Sequence, residues 1–210
     1  MAERPELPWA VLPVKRFCDG KSRLAGLLDT AGREALARAL CEHALGVLAA
    51  CPTLGGTLVV TDGAEVAELV RVQGATVLLE PAASISEAVE MGLAEVTRQG
   101  VGAALVLMAD LPLVRTAEIA ALLALLEEVD VVLAPDRRDE GTNALALTLP
   151  PQLRLAFGQR DSFVRHVAEA EARQLRLRIQ RSPGLGLDVD EPEDWRELAR
   201  RTHERPSLDG

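Results

Sequence analysis

Short apolar runs of strand length alternate with longer stretches of helical spacing along most of this 210-residue chain. Val11-Leu12-Pro13-Val14 is an apolar run bounded by Pro and reads as a buried strand. Leu36, Leu40, Ala44, Val47, Leu48 and Cys51 then recur at helical spacing, which predicts a helix over about residues 31–51 with one face on a sheet. Thr57 to Thr61 reads as a strand, and Asp62 with Glu65 has the spacing of a capping box for a helix carrying Val66, Leu69 and Val70. Thr76 to Leu79 follows as a strand. Ser84 with Glu87 repeats the box ahead of Val89, Gly92, Leu93 and Val96. Ala104 to Met108, a helix with Ile119, Leu122, Leu123 and Leu126, and a strand from Val131 to Ala134 continue the series. Strands alternating with helices predict an α/β fold, a mainly parallel sheet covered on both faces.

From residue 135 the rhythm changes. Pro135 to Gly141 is a charged turn, Thr142 to Thr148 reads as a strand, and Pro150-Pro151 breaks it. A short helix near 162–172, a strand near 174–180 and a closing helix with Trp195, Leu198 and Ala199 on one face complete the pattern. No repeat or low-complexity linker divides the chain, so one domain is expected over 1–210, with a polar tail from Thr202 to Gly210 that frays.

Composition narrows the partners. Hydrophobic residues make up 48% of the chain but aromatics only 2%, with no Tyr, so Leu, Val, Ala and Ile must build the core and base-stacking platforms are disfavoured. A formal charge of −9 argues against nucleic acid and anionic membranes, and any polyanionic ligand needs a local cationic pocket. Met1 to Pro8, with Glu3 and Glu6, does not resemble a signal peptide, and no apolar run approaches a membrane span, so a cytoplasmic protein is expected. Cys18, Cys41 and Cys51 are odd in number and lack CxxC spacing. Cys41 and Cys51 are expected to pack as small hydrophobes, and Cys18 as a loop residue, with a reactive thiol the alternative.

Candidate chemistry clusters where strands end. Lys15, Lys21 and Arg23 crowd the loop after the first strand, where open α/β sheets bind phosphate. The plain alternative is a solvated charged loop. Asp110 ends an apolar strand and so projects from the same sheet edge, where a carboxylate can hold a magnesium ion bridging nucleotide phosphates, or simply start the turn before Leu111-Pro112. Asp188 and Asp190 point to one side if residues 187–190 are extended. Asp190 with Glu193 also fits a capping box, with Pro192 in the first turn, so cap and ligand compete for one residue.

These residues carry a resemblance. Leu12-Pro13-Val14-Lys15 with Lys21-Ser22-Arg23-Leu24-Ala25, then Ala109-Asp110-Leu111-Pro112, then Pro135-Asp136 leading to Gly141-Thr142-Asn143-Ala144-Leu145, stand in one order. Phe157-Gly158 with Ser162-Phe163 and Arg165-His166, and finally Leu187-Asp188-Val189-Asp190, complete the set. Together they resemble the 2-phospho-L-lactate or phosphoenolpyruvate guanylyltransferase family of coenzyme F-420 biosynthesis, over nearly the whole chain. Gly141 to Leu145 is the most discriminating segment.

The resemblance implies a nucleotide-diphospho-sugar-transferase-like (GT-A-like) three-layer sandwich with a mainly parallel mixed sheet. It implies transfer of GMP from GTP to a phosphorylated three-carbon acid, with phosphoenolpyruvate expected ahead of 2-phospho-L-lactate and 3-phospho-D-glycerate, and it leaves a homodimer open. Pro13, Lys15, Lys21, Ser22, Arg23 and Ser86 would bind nucleotide, with Lys15, Lys21, Arg23 and Asp110 serving catalysis. Asp110, Asp188 and Asp190 would bind Mg2+, and Thr142, Gly158, Asp161 and Ser162 the acceptor. The nucleophile is a phosphate oxygen already ionised at neutral pH, so no general base is required, and His166 is expected as a helix-face residue. The chain departs from the family in having three residues, Gln159-Arg160-Asp161, where relatives have two, and Ile85-Ser86-Glu87-Ala88 where they carry Leu-Asn-x-Ala. Arg160 is then either a contact to the acceptor or solvated. Other readings are a molybdopterin-type nucleotidyltransferase, whose Gly-rich first loop is missing, and a non-catalytic nucleotide-binding regulator.

Overall fold

A computed structural model describes residues 7–203. The leaderless reading of the N-terminus rests in part on residues 1–6, and the fraying tail from 204 on, so both lie outside the described residues; Thr202 and His203 continue the last helix. Strands β1 (Trp9–Pro13), β2 (Gly56–Thr61), β3 (Thr76–Leu79), β4 (Ala103–Leu107), β5 (Val131–Pro135), β6 (Thr142–Thr148) and β7 (Leu177–Ile179) form one sheet in the order β3-β2-β1-β4-β6-β5-β7. β1, β2, β3 and β4 pair in parallel, as do β5 and β7, whereas β6 runs antiparallel to both of its neighbours. The sheet is thus mixed and mainly parallel. The exception arises at the charged turn after Pro135, which returns the chain directly without a crossover helix.

Each central strand buries both faces. Ala10 and Leu12 of β1 pack with Cys41, Ala44 and Leu48 of α1 (Thr30–Ala49), Val66 and Val70 of α2 (Ala64–Val72), and Ile119 and Leu122 of α4 (Thr116–Ala124). Val11, between them, faces the opposite layer with Val89, Leu93 and Val96 of α3 (Ile85–Arg98) and Phe163 and Ala170 of α5 (Ser162–Ala172). Three layers result, and Cys41 and Cys51 lie buried among them. Gly92 sets the approach of α3: a Cβ there would stand 2.5 Å from Val11 Cγ1 and 3.0 Å from Val60 Cγ2.

The helix starts test the capping expectations. Ser84 caps α3, its side chain accepting from the Glu87 N–H at 3.1 Å. Asp62 does not cap α2; Gly63 takes that position, Asp62 pairs with Arg16 at 3.1 Å, and Glu65 accepts from the Phe17 N–H at 3.2 Å. Both carboxylates are drawn to the loop after β1 instead. The closing helix α6 spans Pro192–His203.

Candidate active site

β1 and β4 open their carboxyl ends onto one cleft of about 480 Å³. Because β6 runs the other way, its beginning reaches this edge, and the Met108 N–H donates to Asn143 O at 2.9 Å. Thr142 and Asn143 therefore line the same cleft as Asp110, as do Pro13, Lys15, Ser22 and Arg23.

The loop after β1 is held in a strained form. Lys21 sits in the left-handed region, φ 56° and ψ 30°, between two single turns of 3-10 helix, and the fully buried Leu24 anchors the second of them. A non-glycine residue in that conformation costs free energy that the surroundings must supply. The side chain explains the placement: Lys21 Nζ donates to Asp110 Oδ2 at 2.7 Å and to Asp190 Oδ1 at 2.9 Å, and is 8% exposed. Burial alone would lower the pKa of this ammonium, but the two carboxylates override it and raise the pKa above the ordinary lysine range. Lys15, by contrast, is exposed on the cleft wall and makes no ion pair among the described residues. Arg23 stands 3.8 Å from Glu191. Cys18 is exposed nearby, with a thiol whose pKa is raised by desolvation and by the adjacent Asp19, the opposite of an activated nucleophile.

Three carboxylates converge opposite that loop. Leu187 and Val189 are fully buried, so the intervening Asp188 and Asp190 project to the other side, and the Val189 N–H donates to Asp110 O at 3.2 Å. One oxygen from each of Asp110, Asp188 and Asp190 lies within 4.8 Å of the others. Burial, then the Asp110 charge, pushes Asp188 up to about 7, while Lys21 overcomes burial to hold Asp190 below the usual carboxylate value. Asn143 Nδ2 fixes Asp188 by donating to its Oδ1 at 3.2 Å and to Leu185 O at 2.9 Å. Asp110 Oδ1 is buried without a hydrogen-bond partner. An orphaned carboxylate oxygen in an all-oxygen donor set fits a hard divalent cation.

Asp190 is not the cap of α6. The Asp190 and Glu191 N–H groups both donate to Asp194 Oδ2, at 3.2 and 2.8 Å, so the side-chain half of the box is made by Asp194 reaching back to Glu191, one residue later than the sequence pattern indicated, while the Glu191 side chain turns to Arg138. Lys21 takes Asp190 instead, which frees it from the choice between cap and ligand.

The opposite wall is built from hydroxyls. The Thr142 N–H donates to Ser162 Oγ at 2.9 Å, and Thr142 Oγ1 lies 2.9 Å from His166 Nδ1, all three residues buried. Gly158, at φ +80°, gives the neighbouring loop a backbone conformation that a side chain would strain. His166, read from sequence as a helix-face residue, lies on the inner face of α5 and is fully buried. Asp161 turns its carboxylate to Arg165 at 2.7 Å, and Ser86 donates to Phe157 O at 3.1 Å, bracing the loop before Gly158 while Ile85 lines the cleft. Arg160 is 80% exposed, 3.7 Å from Glu140.

Sequence reasoning missed a second basic group. Arg137 and Arg138 also line the cleft; Arg137 pairs with Asp194 at 2.6 Å and Arg138 with Glu191 at 3.2 Å. Glu191 thereby bridges Arg138 to Arg23 across the cleft mouth. The run of charges at 136–140 was the available signal, but its partners lie more than fifty residues downstream.

Comparison with known proteins places this arrangement. The family described as "Guanylyl transferase CofC like" matches residues 9–207. A phosphoenolpyruvate guanylyltransferase of Sphaerobacter thermophilus is 42% identical over 190 residues, covering 90% of this chain and 91% of that protein. Its counterpart in Chloroflexus aggregans is 38% identical, covering 93% and 98%, and a 3-phospho-D-glycerate guanylyltransferase of Phenylobacterium zucineum is 36% identical, covering 91% and 89%. Among solved structures, a Desulfovibrio desulfuricans G20 protein assigned as a nucleotide-diphospho-sugar transferase superposes with a TM-score of 0.78 at 15% identity, covering 97% of this chain and 90% of that one. A cytidylyltransferase from Leptospira borgpetersenii gives 0.63 at 16%, covering 97% and 89%. The fold is that of the nucleotidyltransferases, and by the match over nearly its whole length the chain belongs to the CofC-like guanylyl transferase family.

Proposed function

We propose that the chain transfers GMP from GTP to phosphoenolpyruvate and releases pyrophosphate, a step toward the deazaflavin coenzyme F-420. The observation that carries this reading is a single cleft in which Lys21, set among three aspartates, adjoins the Thr142 and Ser162 hydroxyls. In the reaction an acceptor phosphate oxygen attacks the α-phosphorus of GTP, a P–O bond forms, and the bond to the bridging oxygen breaks as pyrophosphate leaves. The attacking oxygen is ionised at neutral pH, so the chain supplies no base. Its task is to bring two polyanions together in line. Lys15, which has no acidic partner among the described residues, and Lys21 and Arg23 offer positive charge to the triphosphate, with Pro13 and Ser22 on the same edge.

Asp110, Asp188 and Asp190 would hold Mg2+, which when bound supplies the charge that screens the two substrates from each other. Thr142, Gly158 and Ser162 face the acceptor carboxylate, Ser86 braces the loop that carries Gly158, and Asp161 pairs with Arg165 at the start of α5. Both substrates are soluble, which agrees with a cytoplasmic enzyme; among the described residues no helix is long and apolar enough to cross a membrane. The relatives named for phosphoenolpyruvate support that acceptor, and the one named for 3-phospho-D-glycerate marks its competitor.

Pyrophosphate release from GTP tests the reading. It should require both magnesium and the acceptor, whereas a nucleotide-binding regulator would retain GTP and release nothing. Competing phosphoenolpyruvate, 2-phospho-L-lactate and 3-phospho-D-glycerate at equal concentration and weighing the guanylylated products tests the acceptor. A dominant 3-phosphoglycerate product would overturn the choice.

A further inference from the structure

His166 makes two hydrogen bonds whose directions are fixed by chemistry. The Ala156 N–H can only donate, and it lies 2.9 Å from Nε2, so Nε2 carries no proton. A neutral imidazole then carries its single proton on Nδ1, 2.9 Å from Thr142 Oγ1, and donates it there. The ring is fully buried and packs on Phe157 with centroids 4.8 Å apart. Burial holds its pKa down to about 4, which keeps it neutral at physiological pH.

This polarity propagates to the cleft. Thr142 receives a hydrogen bond on its oxygen, so its own hydroxyl proton is left for another acceptor. The same holds at Ser162, whose oxygen accepts from the Thr142 N–H. Neither hydroxyl proton has a protein acceptor among the described residues, and both residues line the cleft beside Gly158. A hydroxyl ordinarily donates or accepts as its partner requires. Here each oxygen already accepts one hydrogen bond within the protein, and each proton remains available to donate.

We infer that His166 is a positioning residue that fixes the polarity of the acceptor subsite at Thr142, leaving the Thr142 hydroxyl to donate to a carboxylate beside Ser162. The inference rests on the guanylyl-transfer reading for the identity of the acceptor. Residues 142 and 166 act as a unit: the imidazole never meets substrate, yet it decides which way the Thr142 hydroxyl faces. A group with no acceptor, such as an ammonium in place of the carboxylate, would bring donors against donors and bind poorly.

Two substitutions separate the ring's two bonds. Asn at 166 can offer an N–H where Nδ1 stood, and Gln an oxygen where Nε2 stood. Both lose the packing on Phe157, so both should lower the melting temperature. With GTP, magnesium and phosphoenolpyruvate, His166→Asn should keep the acceptor KM within about threefold of the parent, whereas His166→Gln should raise it about tenfold or more. The GTP KM should move less than about twofold in either variant. Equal shifts in the two variants, or an acceptor KM that follows the melting temperature, would overturn the inference. A parent that turns over none of the three acids would overturn the guanylyl-transfer reading instead, and with it the assigned ligand. Imidazole 15N chemical shifts of the parent at neutral pH test the premise without any variant. A protonated Nδ1 and a bare Nε2 support it, and the opposite tautomer sinks it.

Discussion

Lys21 Nζ stands 2.7 Å from Asp110 Oδ2, joining the loop after β1 to the end of β4 across 89 residues of chain. An ammonium enclosed between carboxylates is not a solvated charge, and Lys21→Met, which keeps the stem and deletes the charge, should lower kcat/KM for GTP by about 10²–10³-fold, roughly 3–4 kcal/mol. Removing one partner of a fully buried pair costs about 3–5 kcal/mol; because Asp110 and Asp190 are 24% and 44% exposed, the stability loss should be nearer 1–2 kcal/mol. Initial rates of pyrophosphate release and a urea melt check the two halves. Unchanged kinetics would leave Lys21 a structural ion pair with no part in GTP use.

Asp190→Asn isolates the charge of a residue that caps nothing. Since Asp194 closes the first turn of α6, no cap is lost, and the weakened pairing to Lys21 should cost about 1 kcal/mol of stability. An amide cannot replace a carboxylate at a divalent cation. Asp190→Asn and its companion Asp188→Asn should therefore raise the magnesium concentration for half-maximal rate about tenfold or more. Full activity of both at limiting magnesium would leave Asp110 as the sole acidic residue in the mechanism.

Asp194→Ala should do the reverse. It removes an acceptor for two backbone N–H groups and the partner of Arg137 and Arg138, so about 2–4 kcal/mol of stability should go. With the 187–190 segment loosened, activity should fall too, and should recover in part at high magnesium. A melting temperature equal to the parent's would show the box to be unimportant.

The elements were legible because their causes are local. Apolar runs place β3 at Thr76–Leu79 and β6 at Thr142–Thr148, and the turn signals at Pro135 to Gly141 mark where a parallel series breaks. The acidic triad was legible as well, since strand ends and alternation are sequence properties. What could not be read is which long-range partner claims a side chain. Asp190–Glu193 and Glu191–Asp194 have identical spacing, and distant partners decide between them: Lys21, 169 residues away, holds Asp190, and Arg137, 57 residues away, holds Asp194. The Glu65 side chain, in the first turn of α2, turns to the Phe17 N–H for a similar reason. Arg137, Arg138 and His166 were hidden likewise: the charged turn at 136–140 signals charge but not which distant partners it meets, and a polar helix residue does not show that its face is buried.

Gly92→Ala tests the packing of α3 apart from chemistry. The added methyl would meet Val11 Cγ1 at 2.5 Å, on a central strand enclosed on both faces. Helix propensity favours Ala by about 1 kcal/mol, but overpacking of a close-packed core costs about 1–3 kcal/mol, and the clash should prevail. Calorimetry should show a lower melting temperature with KM values for GTP and acceptor unchanged. A more stable variant would mean that α3 can shift outward freely.

His166 also predicts a pH dependence of stability with a definite sign. Its folded pKa of about 4 lies below the ordinary imidazole value of about 6.5, so between the two the unfolded chain binds a proton that the folded chain does not. Stability from the neutral, buried ring is complete above about pH 6.5 and is lost as pH falls toward 4, by about 2–3 kcal/mol. Carboxylates lose stability over the lower part of the same range, so the parent alone cannot assign the loss. His166→Asn, which has no titrating ring, provides the reference. Urea melts at pH 7.5 and pH 4.5 should show the parent losing about 2–3 kcal/mol more than the variant. Equal losses would mean that the ring accepts a proton on Nε2 in place, breaking its bond from the Ala156 N–H at little cost while the Nδ1–H bond to Thr142 persists.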